Sequence, residues 1–155
     1  MSDATPWLLL HRSVRFGDTD AAGVMHFHQL LRWCHEAYEE SLEQFGIPAA
    51  ELFPNPNGSV AVALPIIHCS ADFLRPIVCG DSLLVRLMPQ QLDPGRFEVA
   101  YSFLRGSGES QEVARGLTRH LAIAISSRRR CPLPAAIERW LAQSGLPAAV
   151  GAGQG

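Results

Sequence analysis

The sequence carries little net charge: 13 basic against 15 acidic side chains leave −2 at pH 7. The basic residues are mostly scattered, and a chain without a basic face makes a poor nucleic-acid binder, so no nucleic-acid partner is expected. Paired cysteines are missing too. Cys34, Cys69, Cys79 and Cys131 show no C-x-x-C spacing and sit beside apolar residues or in short loops, which points to reduced thiols. The opening MSDATPWLLL has no basic start and no long apolar centre, so no secretory leader is read there and a cytoplasmic location is expected. No apolar run nears the roughly 18 residues of a membrane span, and no membrane partner is expected. Close metal-ligand pairs such as H-x-x-x-H are absent. Cys34-His35 and His68-Cys69 are direct neighbours, and neighbours on a strand face opposite ways. No metal and no cofactor are expected.

What is present suffices for one domain over residues 1–155, with residues 146–155 expected to be disordered. A chain of this length buries roughly two thirds of its unfolded surface without needing disulfides. Alternation predicts a strand over 8–16, with Leu10, Arg12, Val14 and Phe16 on one side. Gly17 to about Val24 is turn-rich. Residues 27–45 then predict a helix, because Leu30, Cys34, Ala37, Ser41 and Phe45 recur at three- and four-residue steps, and Leu31, Tyr38 and Leu42 widen the stripe. Gly46 and Pro48 supply its stop. At 1.5 Å per residue the helix is about 28 Å long, and something broad must cover it.

Residues 50–59, with two prolines and an Asn-Pro-Asn-Gly run, read as a loop. A strand follows over 61–75, with Ile67, Cys69, Ala71 and Phe73 on one face, ending at Arg75-Pro76. Residues 82–91 and 96–105 read as two more strands, the second with Phe97, Val99, Tyr101 and Phe103 on one face. A hairpin loop over Gly106–Gln111 leads to a long strand, 112–126, with Val113, Leu117, Leu121, Ile123 and Ile125 together. A short helix is expected over 134–144. This order is that of an α+β fold, an antiparallel sheet wrapped around one long helix.

Asp18 and Asp20 stand just before a helix whose first turn carries no carboxylate. Capping or turn formation is one use for them. The other is chemistry at the helix N-terminus, where free N–H groups and a partial positive charge are available. A calcium-type site is disfavoured, because spacing fixes no third ligand. The run GDTDAAGVMHFHQLLRW, followed by ADFLRPIVCGD, resembles the hotdog-fold acyl-CoA thioesterases of the 4-hydroxybenzoyl-CoA thioesterase family over residues 10 to about 127. Within that family, CHEAYEESLEQFGI and IIHCSADFLRPIVCGD are similar to the cyanobacterial branch acting on 1,4-dihydroxy-2-naphthoyl-CoA in phylloquinone biosynthesis. The resemblance implies a hotdog fold, homodimers that join their sheets and often pair into homotetramers, active sites at the dimer interface, and an acyl-CoA substrate.

Carried over residue by residue, the resemblance implies that Asp20 is the catalytic carboxylate, as nucleophile or as base for a water. It implies that the backbone N–H of Phe27 is the oxyanion donor. Gly23 would let the backbone approach the acyl group. His26 and His28 are candidates for contact with the acyl ring or thioester, although two helical residues two apart diverge. Arg128, Arg129 and Arg130 form the one basic run and are candidates for the CoA phosphates, with Arg75 as a competitor. Glu36, Glu39, Glu40 and Glu43 read as a solvated helix face. Two further readings stay open: an acyl-CoA or acyl-ACP thioesterase of broader range, and a noncatalytic acyl-CoA binding module. A dehydratase would want an H-x-x-x-G-P-like segment, which this sequence does not contain.

Overall fold

The apolar stripe lies buried along helix α1, Phe27–Phe45, where Leu30, Cys34, Ala37, Tyr38, Ser41 and Leu42 are all inside. Trp33 joins them, which the stripe as read from sequence did not include. The helix ends where glycine allows it. Gly46 adopts φ +111°, and its N–H reaches the carbonyls of Leu42 and Glu43 while Ile47 N–H also returns to Leu42. The computed structural model describes residues 5–106 and 111–145. The expected disordered tail over 146–155 lies outside the described residues, as does most of the hairpin loop after Gly106.

A five-stranded antiparallel sheet covers the helix. Its strands are β1 (Leu9–Ser13), β3 (Ile66–Phe73), β4 (Ser82–Asp93), β5 (Arg96–Arg105) and β6 (Gln111–Leu121), in the order β1-β4-β5-β6-β3. Two-residue strands β2 (Val62–Ala63) and β7 (Ile123–Ala124) pair separately. Helix α3 (Ala135–Gln143) closes one end, with the Trp140 indole N–H donating to Ser41 Oγ at 3.1 Å. The α+β architecture expected from the order of elements is the one observed.

Several local expectations need correction. The strand expected over 8–16 stops at Ser13, and Phe16 turns outward, 82% exposed, in a short 3-10 turn. The loop expected at 50–59 starts with a one-turn helix, α2 (Ala49–Leu52), which tucks Leu52 into the core. The strand expected over 61–75 is two strands, because Pro65 cannot join a ladder and the pairing shifts register between Ile66 and His68. Nor does β3 bury an apolar face. It is an edge strand whose Ile66, Ile67 and Phe73 stay exposed.

The strand expected over 112–126 ends at Leu121, and the face read as one apolar row divides: Val113 and Leu121 are buried, while Leu117 is only partly so. Cross-strand partners of the buried Phe97, Val99, Tyr101 and Phe103 are His120, Thr118, Gly116 and Ala114, so Leu117 points outward. Small and polar residues face the helix there for two reasons. Gly116 lies under α1, where an added Cβ would stand 2.5 Å from Cys34 Sγ. Thr118 and His120 belong to a buried hydrogen-bond chain. Tyr101 Oη lies 2.9 Å from Thr118 Oγ1, Thr118 Oγ1 lies 2.9 Å from His120 Nε2, and His120 Nδ1 lies 3.4 Å from the Leu64 carbonyl. The His120 ring also stacks on Phe97, with centroids 4.6 Å apart and planes 2° from parallel.

The Gly116 contact makes a prediction. Gly116→Ala should lose about 1–3 kcal/mol of stability in urea unfolding, the usual range for an overpacked core. Adding Cys34→Ala to that variant should recover much of the loss. Simply additive losses in the double variant would show that the contact is not the cause.

Candidate active site

The loop ahead of α1 is built by short-range hydrogen bonds that the sequence makes available. Asp20 N–H donates to the Val24 carbonyl at 3.0 Å, Gly23 N–H to the Asp20 carbonyl at 3.0 Å, and Ala22 N–H to Asp20 Oδ1 at 2.8 Å. Gly23 sits at φ +81°, a conformation that glycine reaches without strain. Asp18 does the fastening. Its carboxylate accepts from Arg15 N–H and from Gln29 Nε2, each at 2.8 Å, and its carbonyl accepts from His26 N–H at 2.9 Å. Both Asp18 oxygens are thereby occupied in holding the loop to the helix, which matches the turn-forming reading of that residue.

Asp20 differs. One of its oxygens serves the local turn, and the side chain is exposed on the wall of a cavity of about 420 Å³. Phe27, Phe73, Leu74, Arg75 and Ile77 line other parts of this cavity. Met25 N–H donates to the Ile77 carbonyl at 2.8 Å, which ties the Asp20 loop to the segment after β3. That segment is held in turn by Asp81. Its Oδ2 accepts from Val78 N–H at 3.0 Å and from Arg105 Nη1 at 2.8 Å, while the same guanidinium reaches the Pro76 carbonyl at 3.0 Å. Gly80, at φ +95°, returns its N–H to the Val14 carbonyl. The Gly80-Asp81 pair therefore positions the wall opposite Asp20.

Phe27 is the first residue of α1, so its N–H has no intrahelical acceptor, and no hydrogen bond occupies it among the described residues. The cavity thus brings together a carboxylate, an unoccupied N–H at the positive end of a 19-residue helix and apolar walls. Chemically, that arrangement can seat an apolar acyl group, present a donor to its carbonyl oxygen, and place a base or nucleophile beside its carbon.

The other candidate residues are distributed. His26 and His28 were expected to diverge, yet their rings meet edge to face, centroids 4.1 Å apart, with Nδ1 against Nδ1. The reason is that only His28 is helical. His26 is the N-cap, with φ −65° and ψ 138°, and its ring accepts from His28 N–H. Neither histidine lines the cavity, although His26 stacks on the Phe27 ring at 4.8 Å. Arg75 is on the cavity wall. The run Arg128–Arg130 is not, and it does not act as one cluster. Arg128, at φ +59°, borders a second cavity, Arg129 is tied by its carbonyl to Ala124 N–H, and Arg130 borders a shallow groove beside Pro94.

Cys34 and His35, adjacent on α1, have unlike surroundings. Cys34 is wholly buried, and burial pushes its thiol up to about 12, with Cys69 adding to the effect. A thiolate nucleophile at that position is therefore disfavoured. The cavity walls Leu74 and Ile77 were not picked out from sequence. The signal was present, since apolar residues continue past Pro76 in the FLRPIV run, but the proline masked it.

A family model described as Thioesterase-like superfamily matches residues 14–141. The 1,4-dihydroxy-2-naphthoyl-CoA hydrolase of Synechococcus sp. (strain RCC307) is 63% identical over 131 residues, which cover 84% of this chain and 98% of that relative. The crystal structure of a Prochlorococcus marinus (MIT 9313) protein superposes with a TM-score of 0.84 at 56% identity, covering 90% of this chain and 96% of the other. The 1,4-dihydroxy-2-naphthoyl-CoA thioesterase from Synechocystis gives a TM-score of 0.76 at 34% identity, covering 90% and 98%.

Proposed function

The chain belongs to the thioesterase-like superfamily, and from that premise we propose that it hydrolyses 1,4-dihydroxy-2-naphthoyl-CoA to 1,4-dihydroxy-2-naphthoate and CoA. The observation that carries the reading is the exposed Asp20 carboxylate sharing an apolar cavity with the Phe27 terminus of α1. The choice of acyl group is supported by relatives 63% and 58% identical that carry that activity in their names. The free acid would serve phylloquinone biosynthesis in the cytoplasm.

In this reading the thioester carbonyl oxygen accepts a hydrogen bond from Phe27 N–H. Negative charge develops on that oxygen as the carbon becomes tetrahedral, so the donor and the helix dipole strengthen their hold in the transition state. Asp20 either attacks the carbon, giving a mixed anhydride that water then cleaves, or takes a proton from the attacking water. In both routes one water is consumed and the sulfur leaves as CoA thiol. The chemistry asks for no metal and no redox cofactor. Arg75, on the cavity wall, would meet a CoA phosphate, and His26 stacked on Phe27 would border the thioester.

The active assembly is a homodimer joined through β3. An exposed edge strand with apolar Ile66, Ile67 and Phe73 invites strand addition, and a second copy can pair with it antiparallel to continue the sheet. The outer sheet face carries an apolar row, Met88, Ala100 and Leu117 in register, which suits the pairing of two dimers into a tetramer. Thiol release from a panel of esters tests the activity. A kcat/KM for the dihydroxynaphthoyl ester well above those for benzoyl, 4-hydroxybenzoyl and straight-chain acyl-CoAs is expected. Equal turnover across the panel would remove the assigned substrate, and thiol release from none would leave a binding module.

A further inference from the structure

The second cavity, about 500 Å³, has walls of Phe53, Leu64, Pro65, Ile123 and Ile125, and His35 from the middle of α1. It is apolar apart from the imidazole and the Arg128 at its border. His35 is held in a defined way. Its Nδ1 lies 3.2 Å from Glu39 Oε2, one helical turn on. With the carboxylate accepting from Nδ1–H, Nε2 is the ring nitrogen left to accept from a ligand. The cavity therefore offers apolar walls with room for an aryl ring and, at His35, an acceptor for a ring hydroxyl.

Within one chain this slot lies far from Asp20. Cavity one sits at the C-terminal end of β3, at Phe73 to Arg75, and cavity two at its N-terminal end, at Leu64 and Pro65. Eight residues of strand separate them, a span of roughly 25 Å. Antiparallel pairing of β3 with a second copy reverses the relation, because each C-terminal end then lies beside the other copy's N-terminal end. The two-fold axis of such a continued sheet runs perpendicular to it, so both α1 helices stay on one face. Each Asp20 cavity then adjoins the slot of the other copy.

Resting on the hydrolase and dimer reading above, we infer that His35 is a specificity-determining residue that acts across the dimer. It accepts a hydrogen bond from the hydroxyl on the ring of an aryl acyl group whose thioester lies at the other subunit's Asp20. Glu39 is its positioning residue, and the favoured ligand class is a hydroxylated bicyclic aryl thioester rather than an alkyl one.

Two measurements on the purified full-length protein test this. The first is the ratio of kcat/KM for 1,4-dihydroxy-2-naphthoyl-CoA to that for 2-naphthoyl-CoA, which lacks the hydroxyls. His35→Ala should lower this ratio about 10- to 100-fold, and His35→Gln, which keeps an amide acceptor, should restore part of it. A ratio unchanged in His35→Ala would overturn the inference while leaving hydrolysis standing. The second is co-expression of Asp20→Asn and His35→Ala chains. Mixed dimers rebuild one intact site from the two chains, so activity on the dihydroxy ester should reach roughly a quarter of wild type for random pairing. Activity no higher than the mean of the two parent proteins would place His35 in the same chain's site and overturn the inference. Wild-type protein that releases thiol from no ester would overturn the hydrolase reading, and this inference with it.

Discussion

Replacing Asp20 with asparagine is expected to leave the protein folded and to cut turnover at least about 100-fold. The substitution separates the two uses of this residue. The turn needs only an acceptor at Oδ1 for Ala22 N–H, at 2.8 Å, and asparagine supplies the same atom in the same place. What asparagine lacks is the negative charge and basicity that attack on a thioester requires. A residue that merely formed the turn would therefore tolerate asparagine and suffer from alanine. Turnover of Asp20→Asn within about threefold of wild type would remove Asp20 from catalysis, because losing a base or nucleophile costs far more than that. Thermal unfolding of the variant alongside wild type separates lost chemistry from lost structure.

The second large effect is on stability at acid pH. His120 is wholly buried, and burial pushes its imidazole down to about 4. The Leu64 carbonyl opposes that displacement and His35 adds to it. The unfolded chain holds the same group near 6.5. Because the folded protein keeps the ring neutral, the unfolded state binds more protons between these values, and stability falls as pH falls. The contribution is fully present above about 6.5 and is lost progressively down to about 4, on the order of 3 kcal/mol.

The hydrogen-bond chain gives the same direction independently. The Leu64 carbonyl can only accept, so Nδ1 carries the proton; Nε2 then accepts from Thr118 O–H, and Thr118 accepts from Tyr101 O–H. Protonating Nε2 would force Thr118 to accept there and donate to Tyr101 instead, which leaves the Tyr101 O–H without its acceptor. His120→Gln, which keeps polar groups but does not titrate, should be less stable at pH 7 and should lose about 3 kcal/mol less than wild type on going to pH 4. Parallel pH dependence of the two proteins in urea unfolding would contradict this.

These two residues also mark what could be read in the sequence. Helix α1 was legible because its pattern is strong: a wide stripe from Leu30 to Leu42 and a glycine stop at Gly46. The Asp20 loop was legible through its run of acidic and small residues and its resemblance to a known family. Strand β6 was not. Alternation groups Val113, Leu117 and Leu121 on one face, yet Val113 and Leu121 are buried while Leu117 lies outside the row that meets the helix. The real inward face carries Gly116, whose missing side chain admits Cys34, and Thr118 and His120, which satisfy one another. Neither property appears in a hydropathy pattern.

Edge strand β3 failed for a related reason. Its apolar residues are exposed in the single chain, and an exposed apolar strand looks in sequence like one that faces the core. The split of Arg128 from Arg130 was equally hidden, since it depends on the turn in which Arg128 adopts φ +59°. His35 escaped because it was weighed only with Cys34, as a metal ligand or as half of a Cys-His pair, whereas the residues that share its cavity come from the loops at 53 and 64 and from β7.

The most direct test of the account is the crystal structure of the Asp20→Asn protein with 1,4-dihydroxy-2-naphthoyl-CoA bound. The thioester carbonyl oxygen is predicted to lie about 3 Å from Phe27 N, within reach of residue 20. A carbonyl bound away from the start of α1, with Phe27 N–H turned to solvent, would contradict the claim that the helix N-terminus is where this protein does its chemistry.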